Sequence, residues 1–166
     1  MSEYVIRPIG PQDDLQIARI VRANLESYHL DIPGTAYFDP ELESLSRYYG
    51  AKPDLRAYFV AADTAGNVVG GVGIAEFSGL AQCAELQKLY LSDAAKGQGL
   101  GKRLMQTAQD YARKIGYKAL YLETHTNLLT AIALYEKLGF EQIEKPASVQ
   151  HGTMNRFYLK RLQQGC

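Results

Sequence analysis

Between Lys96 and Gly101 the chain reads Lys-Gly-Gln-Gly-Leu-Gly, and a run with helical periodicity opens directly from it. Glycines let successive backbone N–H groups converge without side-chain obstruction, and a helix N-terminus adds partial positive charge. A glycine run between a strand and a helix is therefore suited to an anion. Lys96, Lys102 and Arg103 add formal charge around it. Two familiar phosphate patterns fail. The P-loop requires glycine where Lys96 stands and Ser or Thr where Arg103 stands, and the dinucleotide pattern requires glycine where Lys102 stands. The pattern that fits is [QRK]-x-x-G-x-[GA], filled by Lys96, Gly99 and Gly101.

Other reactive side chains are sparse. Cys83 and Cys166 have neither disulfide-framework nor metal-ligand spacing, and no histidine pairs evidently with Cys83 to make it a nucleophile. No metal is expected. His29, His125 and His151 are scattered; His125 follows a strand and lies close to any cleft at that strand's end. Tyrosine is abundant, with twelve in all. Tyr28, Tyr37, Phe38, Tyr48 and Tyr49 cluster near Asp31, Asp39, Glu41 and Glu43, which suits either a cationic amine or plain packing.

These residues need elements to hold them. Tyr4 to Pro8 reads as a strand. Asp13 or Asp14 can cap a helix with Leu15, Ala18, Val21, Leu25 and Tyr28 on one face. The stretch 31–39 with Pro33-Gly34 reads as loop, and a short helix with Leu42, Leu45 and Tyr48 follows Pro40. Segments 56–62 and 68–77, joined by the turn cluster 63–67, read as a hairpin, and 85–91 as a further strand. The glycine run opens a helix carrying Leu100, Leu104, Ala108, Tyr111, Ala112 and Ile115, stopped by Gly116. After a strand at 118–123, Asn127 can cap a helix with Leu128, Ala131, Ile132, Tyr135 and Leu138 in line. Closing strands are expected at 140–143 and 155–162. The strand-helix-strand piece from Glu85 to Glu123 implies a parallel pair with a right-handed crossover, and the hairpins imply antiparallel neighbours. The fold class is thus α/β or α+β with a mixed sheet.

Bulk properties narrow the partners. The chain has 166 residues and 18.4 kDa, the size of one domain, so 1–166 reads as a single domain. Eighteen Lys plus Arg balance eighteen Asp plus Glu. A general nucleic-acid or anionic-membrane binder needs a basic surplus, so neither is expected. The N-terminal residues lack a signal-peptide pattern and the longest weakly polar run, 68–75, is too short to span a bilayer, so the reading is cytoplasmic.

Three segments together resemble the GNAT superfamily of N-acetyltransferases: Glu85-Leu86-Gln87-Lys88-Leu89-Tyr90-Leu91, the glycine loop, and Asn127 followed by Ala131, Ala133 and Leu134-Tyr135-Glu136-Lys137-Leu138-Gly139-Phe140. The resemblance is strong from about Glu85 to Glu144 and rests only on element order before that; Lys96 departs from the commoner Arg or Gln. It implies a mostly antiparallel mixed sheet of about seven strands with four helices, splayed between strands four and five. It implies acetyl-CoA as cofactor, bound by Leu89, Tyr90 and Leu91, by Lys96, Gly97, Gln98, Gly99, Leu100, Gly101 and Lys102, and by Asn127 and Tyr135. It implies Tyr135 as general acid and Glu85, or a water chain, as general base, with the Leu89 N–H as an oxyanion donor. Tyr28, Tyr37, Phe38 and His125 become candidates for the acceptor wall. The partner would be a small-molecule or peptide amine, with homodimerisation common among relatives. The competing readings are a non-catalytic acyl-CoA sensor, which would not need Tyr135, and a nucleotide-binding protein, which both failed phosphate patterns disfavour.

Overall fold

The structure, a computed structural model, describes residues 3–149 and 152–163. His151 and Cys166 lie outside the described residues. Seven strands form one sheet in the order β1-β2-β3-β4-β5-β7-β6. They are β1 (Val5–Pro8), β2 (Ala57–Ala62), β3 (Val68–Glu76), β4 (Cys83–Leu91), β5 (Ala119–Thr124), β6 (Glu141–Ile143) and β7 (Arg156–Arg161). Every neighbouring pair is antiparallel except β4 with β5, where the helical crossover imposes the parallel pairing expected from sequence. The helices are α1 (Asp14–Ser27), α2 (Leu45–Gly50), α3 (Leu100–Lys114) and α4 (Leu129–Lys137). The mixed sheet of seven strands with four helices is the architecture that the resemblance implies.

Strands and helices sort by their apolar periodicity. Leu100, Leu104, Ala108 and Ala112 recur every fourth residue and are fully buried, so α3 lies along one face of the sheet. That face also takes Val72, Ile74, Leu86, Leu120 and Leu122, and α4 adds Tyr135. Ile17, Val21 and Leu25 of α1 and Leu45 and Tyr49 of α2 bury against Tyr58, Val60 and Ala75 on the other face. Burying a Leu or Ile side chain contributes about 1.5–3 kcal/mol, so these two layers dominate stability.

Three local expectations change. The helix after Pro40 begins as a single 3-10 turn, Leu42–Ser44, before α2. Strand β4 starts at Cys83 rather than Glu85, because Ala84 and Glu85 pair with both β3 and β5. Asn127 does not cap α4: Leu128 holds the N-cap position without a side-chain bond, and the Asn127 amide instead donates to the Tyr28 carbonyl at 2.9 Å. A long-range acceptor wins there over the local one.

Two irregularities in β4 shape the space around it. Its pairing with β5 covers only Cys83↔Ala119, Ala84↔Leu120 and Glu85↔Tyr121. Beyond Glu85 the strands part. On its other side, Gly71 pairs with Tyr90 and Gly73 with Gln87, so Lys88 and Leu89 together oppose Val72. This is a β-bulge, and Lys88 holds a left-handed φ of 50° within it.

Candidate active site

The parting of β4 from β5 opens a cleft of about 690 Å3. Its floor is Glu85 to Leu91 of β4. One wall is the glycine loop together with Ala131, Leu134 and Tyr135 of α4. The other comprises Asn24, Tyr28, the loop residues Gly34 to Ala36, Asp39 and Glu41.

At one end of the cleft the loop between β4 and α3 presents bare N–H groups. Gly97 and Gly99 adopt φ of 78° and 76°, the left-handed region that glycine enters without strain. Gly99 is the N-cap of α3, and the first bond of that helix runs from Arg103 N–H to the Gly99 carbonyl. The N–H groups of residues 97–102 therefore have no acceptor among the described residues. Unpartnered donors at a helix N-terminus suit an anion, and Lys96 and Lys102 line the cleft beside them. The Lys96 ammonium pairs with Asp93 at 2.9 Å and lies 5.4 Å from the Tyr28 ring centroid. Arg103, expected to add charge here, donates instead to the Tyr4 carbonyl.

The bulge sets which β4 side chains face which layer. Leu86, Leu89 and Leu91 pack toward α3 and α4. Gln87 and Lys88 are consecutive yet both reach the α1–α2 side: Gln87 bonds to Tyr49, and Lys88 pairs with Asp39 at 2.7 Å and with Glu41 at 3.9 Å. The Lys88 side chain is only 9% exposed, so its charge needs those carboxylates. Glu85 lies nearby, with Gln87 donating to its carboxylate at 2.9 Å. Burial raises the Glu85 pKa to about 7, against the lowering effect of that hydrogen bond; Glu123 raises it further and Lys88 opposes.

Tyr135 sits 7% exposed on α4, near the rings of Phe140 and Tyr158. Burial alone pushes its phenol well above the usual value, so it is a neutral donor at physiological pH. Thr124, at the end of β5, also lines the cleft, and its buried hydroxyl has no hydrogen-bond partner among the described residues. The Cys83 thiol is buried and raised to about 11, which leaves it unreactive.

Of the residues singled out from sequence, Glu85, Leu89, Tyr90, Leu91, Lys96, Gly97, Gly99, Leu100, Gly101, Lys102, Tyr135 and Tyr28 line this cleft. Five stand elsewhere. The Gln98 side chain bonds to Ala94 and Tyr4. Asn127 ties its loop to Tyr28. His125 accepts the Asn127 N–H. Tyr37 donates to Glu26, and Phe38 is exposed against it. Of the four acids expected near the aromatic cluster, Asp39 and Glu41 reach the cleft, while Glu43 pairs with Arg22. Sequence reasoning misses Lys88, Gln87, Asn24 and Thr124 as lining residues. One signal exists for the first two: Leu86 and Leu89 are three residues apart, a break in strand alternation that marks the bulge.

Comparison with known proteins agrees with this geometry. Residues 22–140 match the acetyltransferase (GNAT) family. The chain is 43% identical over 142 residues to an uncharacterised N-acetyltransferase, YjgM, of Escherichia coli K12, covering 84% of this chain and 83% of that one. A GNAT acetyltransferase of Staphylococcus aureus Mu50 superposes with a TM-score of 0.84 at 18% identity, covering 97% and 100% of the two chains. YncA of Salmonella typhimurium, solved with acetyl-CoA, gives a TM-score of 0.75 at 22% identity over 99% and 97%. The chain belongs to the GNAT acetyltransferase family.

Proposed function

We propose that the protein transfers the acetyl group of acetyl-CoA to a primary amine by direct attack within a ternary complex. The observation that carries this reading is one cleft with unpartnered N–H donors at one end, a neutral tyrosine on one wall and a carboxylate of raised pKa on its floor. The unpaired N–H groups of residues 97–102, with Lys96 and Lys102, suit the pyrophosphate of coenzyme A. The opened edge of β4 from Leu89 to Leu91 suits its pantetheine arm. Acetyl-CoA supplies an activated thioester.

Glu85 is the proposed base. Moving a proton from an alkyl ammonium of pKa about 10.4 to an ordinary carboxylate is uphill by about 8 kcal/mol. With Glu85 at about 7, the gap falls to about 5 kcal/mol. The Leu89 N–H is the proposed donor to the acyl oxygen, and Tyr135 the proposed donor to the departing sulfur. Asp39, Glu41, Glu85 and Glu123 outnumber Lys88 along the acceptor side, so the acceptor is a cationic amine on a small molecule or peptide. A thiol-release assay with acetyl-CoA against small amines, polyamines and lysine-bearing peptides tests this. Release with cationic amines is expected; acetyl-CoA binding with no release across the panel would overturn it.

A further inference from the structure

Strand β3 carries Gly70, Gly71 and Gly73 in the middle of the sheet, where glycine weakens a strand. All three have a steric reason: a Cβ on Gly70 would lie 2.5 Å from the Leu91 side chain. A Cβ on Gly73 would lie 2.7 Å from the Tyr49 hydroxyl oxygen, and one on Gly71 would lie 2.5 Å from the Tyr58 ring. The bare backbone admits two tyrosines, Tyr49 of α2 and Tyr58 of β2, across β3 to β4. There the Tyr49 hydroxyl donates to the Gln87 side-chain oxygen at 2.7 Å, and the Gln87 amide nitrogen donates to Glu85 at 2.9 Å. Tyr49 is 2% exposed, so its direction is held by the core. Because the hydroxyl occupies the amide oxygen, the NH2 end must face the carboxylate.

We propose that Tyr49 and Gln87 are positioning residues that orient the Glu85 carboxylate through this relay, with Gly73 as the opening that lets Tyr49 reach it. The proposal rests on the reading of Glu85 as the base. Neither residue is placed in contact with the reacting atoms. The groups facing Glu85 are Glu123 and Tyr121 from β5, Lys88 and Cys83 from β4, Asp39 from the loop before α2, and Tyr48 and Tyr49 from α2. Only Gln87 donates to its carboxylate among the described residues.

The test is direct titration of Glu85 by carbon NMR of protein labelled at glutamate side-chain carboxyls, with Glu85→Gln assigning the signal. Gln87→Ala is expected to raise the Glu85 midpoint by about one pH unit, the size of one lost charge-assisted hydrogen bond. Tyr49→Phe is expected to raise it by less, and to add nothing in the Gln87→Ala background. Gly73→Ala is expected to act like Tyr49→Phe. A Tyr49→Phe midpoint equal to wild type, or a shift that persists without Gln87, would overturn the relay. The base reading is judged separately, from the acid limb of acetyl transfer in Glu85→Gln. Shifted midpoints with an intact limb keep the relay and remove the base; unmoved midpoints with a lost limb remove the relay and keep the base.

Discussion

The Tyr58 hydroxyl donates a 2.9 Å hydrogen bond to the carbonyl of Lys88, the residue at which β4 bulges. The bulge holds a non-glycine residue at a φ of 50°, a conformation that needs support from its surroundings. Tyr58→Phe removes that support and leaves the carbonyl unpaired. Stability should fall by about 1–3 kcal/mol, read by urea denaturation. Acetyl-CoA affinity should fall as well, because the bulge sets the course of Leu89 to Leu91.

Tyr135→Phe should fold as the wild type, since no described residue hydrogen-bonds its hydroxyl. Turnover should fall by about 100-fold or more, the usual size of a lost proton donor. Acetyl-CoA affinity by calorimetry should stay nearly constant. Equal turnover in the two proteins would remove Tyr135 from the mechanism.

Glu85 carries a pKa of about 7 in the fold, above its value in the unfolded chain. Turnover should therefore rise with pH through about 7 and lose that limb in Glu85→Gln. Stability has the opposite sign. A raised carboxyl stabilises relative to its ionised form at low pH, and that advantage disappears as pH climbs from the unfolded toward the folded pKa. Glu85→Gln should thus be more stable than wild type at pH 8, by on the order of 3 kcal/mol in urea denaturation, with the gap closing near pH 4.

At Gly99 a Cβ would meet nothing within 4 Å, so the only obstacle to a side chain is the φ of 76°. Gly99→Ala should weaken acetyl-CoA binding by about 10-fold, matching the 1–2 kcal/mol of left-handed strain. Gly99→Asn should weaken it less, because asparagine tolerates that region. Equal losses in the two variants, measured by calorimetry, would point to bulk instead.

Asp39→Asn takes from Lys88 its 2.7 Å partner and removes one acceptor-side carboxylate. The KM for a cationic amine should rise while acetyl-CoA affinity is unchanged. A lower KM would show that the acceptor side favours anions.

Much of this is legible in the residues. The glycine loop, the apolar spacing of α3 and the strand-helix-strand crossover depend on local rules of backbone freedom and periodicity, and each stands where expected. Asn127 escapes such rules because a side chain able to cap a helix can equally reach a distant carbonyl, and only the folded chain brings Tyr28 within 2.9 Å. Gln98 is held out of the cleft in a similar way: its amide donates to the Ala94 carbonyl and its side-chain oxygen accepts from the distant Tyr4 hydroxyl.

Residue order alone carries the succession of elements and the glycine loop, and the family resemblance singles out Glu85 and Tyr135 as the chemical candidates. Their chemical character comes from tertiary packing. Burial between β4, β5 and the α1–α2 layer lifts Glu85 to about 7, and the bulge turns Gln87 and Lys88 onto its side of the sheet. Desolvation and face selection both depend on residues far apart in the chain. Neither can be read from spacing, because each is a property of what the fold brings together.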